Sequence, residues 1–156
     1  MRNYGSKRPH PARVAAYGVF VRDVLRPTSP PRSSLTLRLA EATPSQNETT
    51  GAHWNTIQRQ RALWHGLLLQ AIGDTRAWDC RHHNRKARVR IERVGKGTFD
   101  YGNLVGGCKV LIDRLVLRGL LVNDSPEWLT EEYDQRRCVK GEAPHTVVTI
   151  TWETTP

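Results

Sequence analysis

The apolar residues of this chain change their spacing as the sequence advances, and that alternation restricts the fold more than any other feature. Leu35, Leu37 and Leu39 alternate with Thr36, Arg38 and Ala40, the period of a strand with one buried face. A turn is expected at residues 43–47, Thr-Pro-Ser-Gln-Asn. From about residue 55 to 72, Ile57, Arg61, Trp64, Leu68 and Ile72 fall on one helical face, and Gly73-Asp74 would end it. Residues 86–94 alternate again, with Val89 and Ile91 opposing Arg88, Arg90 and Glu92. A glycine-rich passage, 95–107, leads to a second expected helix at about 108–118. Its stripe is Cys108, Leu111, Ile112 and Leu115, with Gly119 as C-terminal cap. Residues 120–122, 128–137 and 146–152 read as strands. This order predicts an α+β (mixed α/β) fold, a small sheet with two main helices.

With 156 residues the chain is long enough to bury a core as one domain. No run approaches the ~18 apolar residues of a membrane span, and no apolar segment follows the basic start, so a secretory signal is not expected. Cys80, Cys108 and Cys138 stand apart without a paired motif. That argues against a disulfide scaffold and for a reducing, cytoplasmic setting.

The net charge is +9. Such a balance favours phosphate-bearing partners, because a basic surface gains free energy by releasing counterions from nucleic acid. Much of the charge is at the start, where Arg2, Lys7, Arg8, Arg13, Arg22, Arg26 and Arg32 face Asp23 alone. Pro9, Pro11, Pro27, Pro30 and Pro31 interrupt the same segment. We read residues 1–33 as a basic, proline-rich arm with a short apolar cluster at 14–24, and residues 34–153 as the folded domain. The arm would follow a nucleic-acid backbone, recruit a protein or RNA partner, or serve as a plain tail.

Residues 99–128 are the most unusual stretch, FDYGNLVGGCKVLIDRLVLRGLLVNDSPEW. Three isolated acids, Asp100, Asp113 and Asp124, lie in mostly apolar surroundings. Asp113 follows Lys109 by four residues, so the two share a helix side. If the 120–122 strand runs back beside its neighbour, Asp100 and Asp124 meet near the helix start. Carboxylates gathered in this way require a cation, and oxygen-only ligands select Mg²⁺ or Mn²⁺. Gly106-Gly107 would offer backbone N–H groups to a phosphate at the positive helix end, with Lys109 beside it. Singly, the same residues also fit a surface ion pair, a turn and loop punctuation.

Taken together, these residues resemble the RusA family of Holliday junction resolvases, in its longer-loop, phage-type form. The matching residues are Asp100, Asn103, Lys109, Asp113 and Asp124, with the Asn-Leu-x-Gly-Gly-x-Lys run at 103–109 and Gly-Leu-Leu-Val before Asp124. Residues 43–47 resemble the family's Pro-Ser-x-Asn turn, and His53-Trp54 with Arg59 and Arg61 fall where its basic helix is expected. The resemblance covers about residues 35–152. It implies a homodimer that binds four-way DNA junctions and cuts them with Mg²⁺ or Mn²⁺. Asp100, Asp124 and Asp113 would hold the metal, and Lys109 would contact phosphate. DNA would be bound by Asn47, His53, Arg59, Arg61, Arg85, Lys86, Arg88, Arg90, Asn103, Gly106 and Gly107. Two positions depart from the pattern: Gly102 replaces the second loop aspartate, and Asn123 replaces the first of an Asp-Asp pair. Asp113 or Glu127 could compensate. The alternative is a junction-binding or architectural protein that keeps the fold without cleavage.

Cys80 beside His82-His83 lacks the second ligand pair of a structural zinc site and reads as a solvated loop. Arg81, Arg85, Lys86, Arg88, Arg90, Arg93 and Lys96 against Glu92 make the 86–94 strand basic on one face, suited either to phosphate contact or to solvent. Trp54, Trp64 and Trp128 read as packing residues, Trp54 least so because it is near a loop. Nothing positions a Ser-His-Asp or Cys-His nucleophile.

Overall fold

The computed structural model describes residues 34–73 and 85–153. The basic arm, Asp74, Cys80, Arg81 and His82-His83 lie outside the described residues. The elements are β1 (Ser34–Leu39), α1 (Gln46–Thr49), α2 (Trp54–Ile72), β2 (Ala87–Gly95), α3 (Tyr101–Leu117), β3 (Leu129–Arg137) and β4 (His145–Trp152). Among the described residues this is a small mixed α/β domain with one four-stranded sheet, ordered β1-β4-β2-β3. β4 is antiparallel to both β1 and β2, whereas β2 and β3 are parallel. A parallel pair needs a crossover, and α3 supplies it.

The core lies between one face of the sheet and the two long helices. Trp64 and Leu68 of α2 and Leu104, Cys108, Leu111, Ile112 and Leu115 of α3 join Leu37, Leu39, Val89, Ile91, Val148, Ile150 and Trp152. The α3 residues recur at three- and four-residue spacing, the stripe that buries one helix side. The other sheet face is polar and carries cross-strand ion pairs. Arg88 meets Glu132 at 3.3 Å, Arg90 meets Asp134 at 2.9 Å, and Arg136 meets Glu92 at 3.2 Å.

Three expectations are corrected. The second helix begins at Tyr101, not near residue 108, so Gly102, Gly106 and Gly107 are helical. The reason is contact: α3 passes so close to residues 43–45 that a methyl group at 107 would overlap the Pro44 carbonyl oxygen. Glycine is retained there for space, which offsets its poor helix propensity. Residues 120–122 form no strand. Gly119, at φ 75°, instead reverses the chain, donating to the Val116 carbonyl while the Leu120 N–H donates to Leu115. That is a Schellman cap. Leu120 and Leu121 are still buried, and the Leu120 carbonyl accepts from Trp152 Nε1 at 2.9 Å. Finally, the turn expected at 43–47 gives way at Gln46 to α1, opened by a Ser45/Glu48 capping box.

The loop between β1 and α1 is tied down from below. The buried Arg93 guanidinium donates to the Thr43 carbonyl at 2.8 Å and the Gly97 carbonyl at 2.7 Å, and lies 3.9 Å from the Phe99 ring centroid. Thr146 Oγ1 accepts from the Thr43 N–H and donates to the Glu41 carbonyl.

Candidate active site

α1, α2, α3 and β3 enclose a cleft of about 520 Å³. Gln46 and Thr49 come from α1, Ile57 and Gln60 from α2, and Val105, Gly106 and Lys109 from α3. Asp124, after the turn that ends α3, and Glu131 and Tyr133 of β3 complete the lining. The site is thus assembled from segments distant in sequence, brought together by the parallel β2–β3 register and by the short turn that follows α3.

Lys109 is the charged centre of the cleft. Its ammonium lies 3.1 Å from Asp113 Oδ1 and donates to Asp124 Oδ2. The bond to Asp124, then that to Asp113, raises the Lys109 pKa from its usual value. The same bond holds the Asp124 carboxyl below the ordinary carboxylate range. On β3, Tyr133 Oη donates to Glu131 Oε2 at 2.7 Å. Burial, then that carboxylate, pushes the phenol pKa upward, so Tyr133 stays a protonated donor. Two carboxylates therefore converge on one cation, in a cleft that Glu131 also lines.

Asp100 is placed differently from the expectation. It is the N-cap of α3, accepting from the Asn103 N–H at 3.0 Å and from Asn103 Nδ2 at 2.5 Å. Those bonds hold its pKa below normal. Its carboxylate thus engages Asn103 while that of Asp124 engages Lys109. At about 1.5 Å rise per residue, the Asp100 cap lies ~13 Å along the axis from Lys109. Among the described residues no group of three or more His, Cys, Asp or Glu is arranged to hold a metal. Gly106 and Gly107, inside α3, present no helix-start N–H groups to a phosphate; Gly106 lines the cleft and Gly107 is buried.

The expected DNA contacts also divide. Arg59 and Asn47 are exposed, and His53 caps α2, accepting from the Asn55 N–H at 3.3 Å. Arg61 lies 5.9 Å from the ring centroid of Trp54. Arg85 is buried and donates to the Glu153 and Trp152 carbonyls, and Lys86 is half-buried beside it. Arg88 and Arg90 spend their charge on Glu132 and Asp134, so the face of β2 expected to be basic is a balanced ion-pair ladder. Two of its acids, Glu132 and Asp134, sit on β3, which the pairing places alongside. Trp64 is buried and Trp54 exposed.

Glu131 and Tyr133 did not stand out in the sequence. Their signal was the two-residue period of β3, which puts Glu131, Tyr133 and Gln135 on the α3 side. Gln135 confirms that side by bonding to the Phe99 N–H and carbonyl. Among the described residues no helix is long and apolar enough to cross a membrane. No protein-family model matches the chain, and no curated protein sequence matches it either.

Proposed function

We propose that the chain is a metal-dependent endonuclease for branched DNA, of the RusA kind its sequence resembles, acting as a homodimer. The observation that carries this reading is Lys109 held by both Asp113 and Asp124 at the cleft. Three of the four residues singled out for catalysis meet there. The two carboxylates already accommodate a cationic group between oxygen donors, which fits a hard divalent ion that needs only one or two carboxylates and keeps its waters. When bound, Mg²⁺ or Mn²⁺ would neutralise phosphoryl charge and lower the pKa of a bound water.

The chain's own residues have separable tasks in this reading. Asp124 and Asp113 would hold the cation. Lys109 would exchange its carboxylate partners for a phosphate oxygen, whose negative charge would keep the ammonium protonated in their place. Tyr133 fixes the Glu131 carboxylate in the cleft lining. Asp100 is left to cap α3 and to order Asn103. A net charge of +9 supplies the sequence-independent attraction.

One observation favours a second reading, a protein that binds junctions without cutting them. Beside Asp100 stands Gly102, which contributes no carboxylate. A labelled four-way junction incubated with and without Mg²⁺ or Mn²⁺ decides between them. Metal-dependent nicking that Asp124→Asn abolishes supports the nuclease. Tight, salt-sensitive binding without any cut supports the binding protein.

A further inference from the structure

We infer that Trp54, backed by Arg61, is a stacking platform for an unpaired nucleobase beside the cleft. This rests on the nucleic-acid reading above but not on cleavage. Trp54 is 63% exposed at the start of α2, whereas Trp64 on the same helix is buried. Exposure alone assigns no role, since Tyr101 is more open at 67%; what sets Trp54 apart is the cation beside it. The Arg61 guanidinium sits 5.9 Å from the Trp54 ring centroid, close enough to orient the indole and add positive charge to its surroundings. Arg61 is in none of the ion pairs among the described residues, and its Nε has no hydrogen-bond partner there. Trp54 also precedes Ile57 by three residues, so the two share a helix side, and Ile57 lines the cleft that holds Lys109 and Asp124.

An exposed indole with a cation against it suits a base more than an apolar protein surface. Every base has a π-face, the backbone phosphate next to it has the opposite charge to Arg61, and such stacking is tolerant of sequence. A branch point offers unstacked bases, whereas continuous duplex keeps its bases within the stack and out of reach.

The test uses full-length protein, an oligothymidylate carrying one 2-aminopurine, and a fully paired duplex. Wild-type protein should quench the 2-aminopurine on binding. Trp54→Ala should abolish the quenching and weaken oligothymidylate binding roughly 5- to 150-fold, leave duplex binding unchanged, and keep the wild-type circular dichroism. Trp54→Phe should retain most of the affinity. Failure of the wild-type protein to bind oligothymidylate overturns the inference, as does undiminished quenching by Trp54→Ala or an equal loss on duplex. Junction nicking is scored separately: a wild-type protein that stacks but never cuts sinks the nuclease and leaves the platform standing.

Discussion

Gly107 of α3 packs directly against the Pro44 carbonyl, with no room for a methyl group between them. Its neighbour Gly106 differs, since a methyl there would meet the Gln46 side chain, with Cδ at 2.5 Å, and that flexible chain can swing away. Gly107→Ala should therefore destabilise the domain by about 1–3 kcal/mol through overpacking. In Gly106→Ala the gain in helix propensity, of ~1 kcal/mol, should offset most of the cost. Urea denaturation of both variants checks this; equal midpoints would refute it.

Lys109 is exposed enough that its ion pairs contribute little to folding, typically below about 1 kcal/mol. Its removal should act on chemistry instead. Lys109→Met should lower metal-dependent junction nicking about 10²- to 10³-fold, the usual cost of losing one charge-stabilising donor, while shifting the denaturation midpoint slightly. Without the ammonium, the Asp124 carboxyl should return toward the ordinary range. NMR titration of that carboxyl reads the change directly, and an unmoved Asp124 would show that Lys109 does not control it.

Gly102→Asp should be accepted by the fold. A Cβ at 102 would lie 3.5 Å from Asp100 Oδ1, an ordinary contact. The new carboxylate would stand beside that of Asp100, and like charges so close favour a bound cation. Metal-dependent nicking should rise, and the Mg²⁺ concentration for half-maximal rate should fall. No gain in either would mean that the working ligands are confined to the cleft around Lys109.

The periodic elements were readable because burial of one face imprints its period on the sequence. Leu35, Leu37 and Leu39 in β1, Val89 and Ile91 in β2, and Trp64 and Leu68 in α2 show this. The start of α3 was hidden because Gly102, Gly106 and Gly107 mimic a loop, and only the approach of Pro44 explains their place in a helix. Leu120 and Leu121 mimic a strand because they are buried, but their backbone is served by the Schellman turn and the Trp152 indole. Within the candidate site, Lys109 and Asp113 follow from helical spacing. Their link to Asp124 depends on the turn geometry, and Glu131 enters only through the β2–β3 register. Neither leaves a local pattern.

Arg136 grips Glu142 through two bonds of 2.7 Å, and the Val139 N–H adds a third at 3.1 Å. The guanidinium, first, and that N–H hold the carboxyl down to about 2, against an ordinary value of 4.5. A depressed folded-state pKa contributes stability that is full above the unfolded value and lost as pH falls through the folded one. Wild-type stability should therefore decline between about pH 4.5 and 2. Arg136→Met should flatten that part of the profile, as measured by denaturation at a series of pH values. Parallel profiles would exclude the linkage.

Cys108 is buried, and its burial pushes the thiol up to about 11. Cys138 is only partly covered. Because the thiolate is the reactive form, iodoacetamide at pH 8 should label Cys138 in the folded protein and Cys108 only after unfolding. Peptide mass spectrometry resolves the two, and equal rates would contradict the packing of α3.

Arg93 anchors the loop that leads into α1 at the edge of the cleft. Swinging the α1 side outward would break the bond to the Thr43 carbonyl and strand a guanidinium still covered by Phe99, a severe penalty for a charged donor. The α1 side of the cleft is therefore held firmly, and under the proposed reading the adjustment on docking would fall to the DNA: a strand that flexes at its branch point would conform to the cleft, while unbroken duplex would first have to be deformed at an energetic cost.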